Sequence, residues 1–210
     1  MANVQELVSF VISGDVDKVK STTQQLLDAG EDPMKIIDDG LVNGINVVGE
    51  RFKEGEMYVP EMMMSAQAMK AGVELAKEKV SGIEITTAGK VVIGTVAGDL
   101  HDIGKNLVAM MLESSGFDVV DLGVDVETDG FIAAVKEHNP QIVGMSALLT
   151  TTMPAMKDVI AALQEGGLRN DVKVIIGGAP VTKEYANEIG ADGFGADAAL
   201  AIDLCKELVV

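Results

Sequence analysis

The chain changes its hydrophobic rhythm part-way along. Up to about residue 80, apolar positions recur at helical spacing. Leu7, Val8, Val11 and Ile12 mark a first helix, broken at Gly14. "DVDKVKSTTQQLLDAG" carries Val16, Val19, Leu26 and Leu27 and stops at Gly30, a residue suited to a helix end. Pro33 is placed to open a third helix, with Ile36, Ile37, Leu41, Ile45 and Val48 along one stripe. Pro60 opens a fourth, "PEMMMSAQAMKAGVELAKEKV". Four helices on short loops predict an antiparallel bundle over residues 1–85.

"SGIEITTAGK", residues 81 to 90, reads as a linker. Over residues 90–210, short β-branched runs alternate with helical patterns. "KVVIGTV", "FDVVDLG", "QIVGMSAL", "VKVIIGG" and the brief "ADGFG" are the expected strands, each followed by a helix. The expected fold class is therefore α/β. An N-terminal four-helix bundle precedes a flavodoxin-like or Rossmann-like domain with a five-stranded parallel sheet.

Composition narrows the function. The 210 residues carry a net charge of −17 with no Lys/Arg cluster, which argues against nucleic acid and against an anionic membrane surface. An acidic surface suits docking on other proteins. Aromatics make up 3% of the chain and 12 methionines partly replace them, so the core is expected to be aliphatic and adaptable. Cys205 is the only cysteine, so no internal disulfide forms and a reducing, cytoplasmic setting is expected. "MANVQELVSF" lacks the basic flank and long apolar run of a signal peptide, and no stretch approaches the ~20 apolar residues of a membrane span.

In open parallel sheets, ligands bind outside the carboxyl ends of the strands. The unusual loops leave those ends: "GTVAGDLHDIG", "SALLTTT", "GGAP" and "GFGAD". A phosphate-binding loop is excluded, because Asn106 follows Gly104-Lys105 and Asp99 holds the place of its first glycine. No G-x-G-x-x-G follows the first strand, and Ser146 stands where a receiver domain would need its acceptor aspartate. Asp99, His101 and Asp102 could begin a zinc site, but a fourth ligand is lacking, since His138 and Cys205 lie far off on expected helices. His101 could simply cap the helix at Gly104. Yet Asp99 is two residues away, and in an extended loop both side chains project to one side. A carboxylate beside an imidazole fixes its tautomer and raises its basicity, which suits a metal ligand better than a cap.

Three motifs together carry a resemblance. "DLHDIG" matches D-x-H-x-x-G, "SAL" at 146 to 148 matches S-x-L, and Gly177-Gly178 matches a paired glycine. In this order, each at a strand's carboxyl end, they resemble the cobalamin-binding domain of methionine synthase, the cobalamin-dependent mutases and the corrinoid proteins of methyltransferase systems. "NGINVVGERFKEGEMYVPEMMMSAQAM" is similar to the helical cap of methionine synthase and of small corrinoid proteins. The resemblance implies a helical cap over 1–85 and a cobalamin-binding domain over 90–210.

It also implies roles. His101 would be the lower ligand to the cobalt of cobalamin (methylcobalamin or another corrinoid), displacing the cofactor's own base. Asp99 would accept that histidine's other N–H. Thr152 would complete the relay, or else cap the helix before Pro154. Gly98, Leu100, Asp102, Ile103 and Gly104 would surround the ligand. Ser146, Leu148 and Thr150 would contact the displaced base and ring. Gly177, Gly178, Gly195 and Ala196 would line the groove for the nucleotide tail. Phe52 and Val59 match cap positions over the upper corrin face, and Asp38 matches an acidic one. Met57, Met62, Met63, Met64 and Met69 are expected in the core, with Met62 and Met69 on one helix face.

The implied function is methyl carriage on cobalt, as a non-catalytic component of a methyltransferase system. The Asp99–His101 pair would take up a proton as the methyl group leaves, and the cap would swing aside for partners. Those partners would be a substrate-specific methyltransferase, an acceptor methyltransferase acting on a thiol or tetrahydrofolate, and a reductive activation protein. The alternatives are the cobalamin subunit of an adenosylcobalamin-dependent mutase and a cobalamin-binding regulator.

Overall fold

The structure, a computed structural model, describes residues 3–77, 79 and 87–209. Most of the expected linker, residues 81–86, lies outside the described residues, as do positions 78 and 80 at the end expected for the fourth helix. The chain divides into two compact units, Met1–Thr86 and Thr87–Val210.

The first unit is helical. Asn3 opens α1 (Val4–Ile12) with a capping box shared with Glu6, satisfying two backbone donors at once. Asp15 caps α2 (Val16–Asp28). That helix ends at Gly30 (φ +82°), where the Glu31 N–H closes back on the Leu26 carbonyl. Pro33 opens α3 (Pro33–Lys35), as expected. It runs through a π-helical segment, Ile36–Val42, into α4 (Asn43–Lys53), and α5 (Val59–Lys77) completes the unit.

Periodicity did not foretell the π segment. Its turns wind more slowly than α turns, so apolar residues four apart stay on one face instead of walking round the rod. Ile36, Ile37, Leu41, Ile45 and Val48 are accordingly all buried. Gly40 and Gly44 turn toward α1, where an added Cβ would stand 2.7 Å from Leu7 Cδ2 and 2.7 Å from Val11 Cβ respectively. One expectation fails in part. Met62 and Met69 are buried, but Met63 and Met64 are 41% and 54% exposed. The buried face of α5 runs through Met62, Ser65, Ala66 and Met69, and Met63 and Met64 fall beside it.

The second unit alternates β1 (Lys90–Thr95), α6 (Ile103–Ser114), β2 (Asp118–Asp121), α7 (Thr128–His138), β3 (Ile142–Ser146), α8 (Pro154–Glu165), β4 (Lys173–Gly177), α9 (Lys183–Ile189), β5 (Gly193–Gly195) and α10 (Ala198–Leu208). The strands are all parallel, in the order β2-β1-β3-β4-β5. β1 runs nearly wholly buried, as a central strand covered on both faces must. Phe131, Val143, Met145, Met156, Ile160 and Ile176 knit one face to α7, α8 and α9. The chain leaves β1 toward β2 on one side and returns to β3 on the other. The loops after β1 and β3 therefore diverge at a topological switch point and open a crevice between them.

Candidate functional site

His101 lies in the loop between β1 and α6, and the crevice is built around its neighbour. Asp99 is fully buried. Its Oδ1 accepts from His101 Nδ1 at 2.7 Å and from the His101 amide at 3.1 Å. Its Oδ2 accepts from the amides of Leu148 (2.7 Å) and Leu149 (3.2 Å) and from Thr152 Oγ1 (2.8 Å), all in the β3–α8 loop. The loop is thus not extended as expected. Asp99 curls back onto the backbone two residues on, in the manner of an Asx turn, and that curl brings carboxylate and imidazole together.

Burial pushes the Asp99 carboxyl up. The hydrogen bonds from the His101 side chain, the Leu148 and His101 amides and Thr152 outweigh it and hold the group well below the usual carboxylate range. As a carboxylate it can only accept, so the shared proton sits on Nδ1, and in the neutral tautomer this leaves the lone pair on Nε2. The His101 side chain is 52% exposed, which leaves that nitrogen open to a ligand.

Thr152 belongs to this network and not to a helix cap. Met153 holds the N-cap of α8 and makes no side-chain cap bond. The Thr152 hydroxyl also lies 2.9 Å from the Leu149 carbonyl, but its single proton favours the charged acceptor. His101 caps nothing either. Asp102 is the N-cap of α6, and its carboxylate instead takes the Asn106 side-chain amide at 3.0 Å. Sequence reasoning passed over Leu149, whose amide helps hold Asp99, and Thr95, whose hydroxyl donates to the His101 carbonyl at 2.9 Å. A polar residue ending a buried strand beside the loop was the available signal for Thr95.

Ser146, Gly177 and Gly195 share one cross-strand row with Thr95 at the last register position of β1, β3, β4 and β5. Three small residues in one row leave a slot along the sheet. Within the described residues the Ser146 hydroxyl makes no hydrogen bond, so it is available to a guest. Gly178 (φ +129°) is dictated by a close approach, since a Cβ there would stand 1.9 Å from the Ala147 carbonyl oxygen. A Cβ on Gly195 would meet Ala201 Cβ at 2.8 Å. Ala196 is exposed beside the row. Gly98 (φ +78°), Asp102, Gly104 and Thr150 are exposed on the rim. Leu100, Ile103 and Leu148 are apolar yet 71%, 86% and 43% exposed.

Phe52, Val59 and Asp38 belong to the helical unit. Phe52 is half-buried in α4, Val59 half-buried as the first residue of α5, and Asp38 exposed in the π segment. A recess of about 580 Å³ in that unit, lined by Asn3, Gln5, Lys35 and Asp39 among others, holds none of the expected site residues. No group of three or more His, Cys, Asp or Glu side chains among the described residues is placed to hold a metal ion. Nor is any described helix long and apolar enough to cross a membrane.

A family model described as a B12 binding domain matches residues 89–203, and a second B12 binding domain matches residues 4–77. The chain belongs to the B12-binding corrinoid proteins. Relatives in this family include a corrinoid protein of Desulfitobacterium hafniense, 44% identical over 100% of this chain and 98% of that protein. Dimethylamine corrinoid protein 1 of Methanosarcina acetivorans is 46% identical over 98% of this chain and 97% of its own length. Among solved structures, the methanol:cobalamin methyltransferase complex MtaBC from Methanosarcina barkeri matches with a TM-score of 0.91 and 37% identity, over 98% of this chain and 79% of that one. One of these, MtaBC, is named as a methyltransferase complex, which favours the carrier over the mutase subunit and the regulator. The corrinoid protein's own geometry fits the cofactor. It has one open imidazole nitrogen for cobalt, a slot lined by small residues for the nucleotide tail, and an unengaged hydroxyl in that slot.

Proposed function

We propose that this corrinoid protein carries a methyl group on the cobalt of cobalamin, from a substrate-specific methyltransferase to a second methyltransferase acting on a thiol or tetrahydrofolate acceptor. When bound, the cofactor supplies the nucleophilic and leaving-group chemistry of cobalt; the protein supplies orientation and electrostatics. The observation that carries the reading is the buried Asp99 carboxylate, which commits His101 Nδ1 and turns Nε2 outward as a ligand.

Each chain residue then has a task. His101 holds the metal. Asp99 orients the imidazole and stabilises its cation when a proton arrives, and Thr152 holds Asp99. Ser146 hydrogen-bonds the displaced base, and Gly177, Gly178, Gly195 and Ala196 leave room for the tail. Gly98, Leu100, Asp102, Ile103, Gly104, Leu148 and Thr150 form the rim against the ring. Phe52 and Val59 shelter the methyl group, and Asp38 is the acidic cap residue.

A reductive activation protein is a third partner. The donor is recognised by the partner enzyme. In keeping with this, relatives named for dimethylamine and trimethylamine are 46% and 40% identical to this chain, nearly equally close. We assign the protein to the cytoplasm, where its one cysteine, buried Cys205, needs no partner.

The test is cobalamin loading of wild type and His101→Ala, read by the electron paramagnetic resonance of Co(II). With the histidines labelled by nitrogen-15, wild type shows coupling to a nitrogen-15 nucleus and the variant does not. Identical spectra would overturn the assignment.

A further inference from the structure

Two features of the second unit break local rules. Lys105 is the third residue of α6, where the helix dipole disfavours a cation, and its side chain is 1% exposed. A buried ammonium persists only where it is paired. Asp125 has φ +53°, a left-handed conformation unusual outside glycine. The other such non-glycine residue among those described, Asn139, is explained as the C-cap of α7. Asp125 ends no helix.

Both features meet at segment 121–125, which begins at the last residue of β2. Lys105 Nζ donates to the two carboxylate oxygens of Asp121, at 2.6 and 2.5 Å, and to Asn106 Oδ1 at 2.7 Å. Asn106 in turn donates to Asp102, the residue after His101. At the loop's other end, the Gly98 amide donates to Asp125 Oδ1 at 2.7 Å, and the Asp125 amide donates to the Asp99 carbonyl at 3.0 Å. The segment is itself anchored to β1, since the Leu122 amide donates to the Ile93 carbonyl and the Thr95 amide to the Gly123 carbonyl.

We propose that Asp121, through Lys105, and Asp125 are positioning residues that clamp the His101 loop at both ends and so set the pose of the imidazole. Asp99 fixes the ring within the loop; the clamp fixes the loop against the sheet. The left-handed turn at Asp125 is what aims its carboxylate at the Gly98 amide and its own amide at the Asp99 carbonyl. The consequence for cobalt rests on His101 being its ligand, as proposed above.

The first readout needs no cofactor. Nitrogen-15 side-chain spectra of the full-length apoprotein identify His101 by its loss in His101→Ala, His138 being the only other histidine. Wild type shows a slowly exchanging Nδ1–H. Asp125→Gly removes the acceptor without backbone strain, and Lys105→Met removes the ammonium while leaving Asp121 open to water. In each, Nδ1–H exchange rises roughly tenfold, the effect of one charge-assisted hydrogen bond. Asp125→Asn, which tolerates the left-handed turn and keeps an acceptor oxygen, restores most of the protection. Wild-type exchange in both folded variants would overturn the clamp. If Lys105→Met does not fold, the Asp125→Gly and Asp125→Asn pair decides alone, because Asp125 is exposed. The second readout is the imidazole coupling of bound Co(II). Faster exchange in the clamp variants with no such coupling even in wild type would uphold the clamp and sink the cobalt assignment instead.

Discussion

Replacing Asp99 with asparagine keeps the shape of the side chain and changes what it can accept. Three donors, from Leu148, Leu149 and Thr152, converge on Oδ2, and two from His101 converge on Oδ1. The amide oxygen of the substituted side chain must face the three, so its NH₂ faces His101. The backbone N–H of His101 loses its acceptor. The imidazole answers by shifting its proton to Nε2, so that Nδ1 can accept, and the lone pair that would hold a metal is gone. The His101 bond, half-exposed, is worth about 1.5 kcal/mol at the low end for a charged acceptor, and weakening the three bonds on the other side brings the loss to about 3 kcal/mol. Urea unfolding of the apoprotein measures the stability, and Co(II) resonance of the loaded protein measures the ligation. Both fall together if the carboxylate governs fold and tautomer alike. An Asp99→Asn protein with wild-type stability and wild-type imidazole coupling would refute the reasoning.

Asp99 also sets an acid limit. Its folded value lies well below that of the unfolded chain, so its stabilisation is complete above about pH 4 and is lost as pH falls below that point. Unfolding free energy measured from pH 5 downward should therefore decline, and less steeply in Asp99→Asn. Gly178→Ala drives a Cβ to 1.9 Å from the Ala147 carbonyl oxygen, a backbone atom that cannot swing away. About 2–3 kcal/mol of stability should be lost, along with cobalamin retention on gel filtration. In the helical unit, Gly44→Ala meets Val11 Cβ, whereas the one close approach for Gly40→Ala is to the tip of Leu7. Thermal unfolding should show Gly44→Ala destabilised by about 1–3 kcal/mol and Gly40→Ala by less.

Local chemistry determined most of the element starts and stops, the π segment excepted. Prolines and glycines act within a few residues of themselves, so Pro33, Gly30 and the alternation of strand and helix could be read directly from the chain. The D-x-H-x-x-G motif was legible for the same reason, because Asp99 and His101 are two residues apart and bond to each other. Only the tertiary structure decided what lies around them. Asp99 draws its remaining donors from 49 to 53 residues away, and they reach it because β3 lies beside β1 in the sheet. The choice between relay and cap for Thr152, the need for glycine at 178 against a neighbouring loop's carbonyl, and the π segment packed under α1 all turn on such distant partners. So does the exposure of Met63 and Met64. Periodicity records which face of an element is apolar, whereas the order in which elements pack is set by the energy of the whole core, to which no single stretch of chain holds the key.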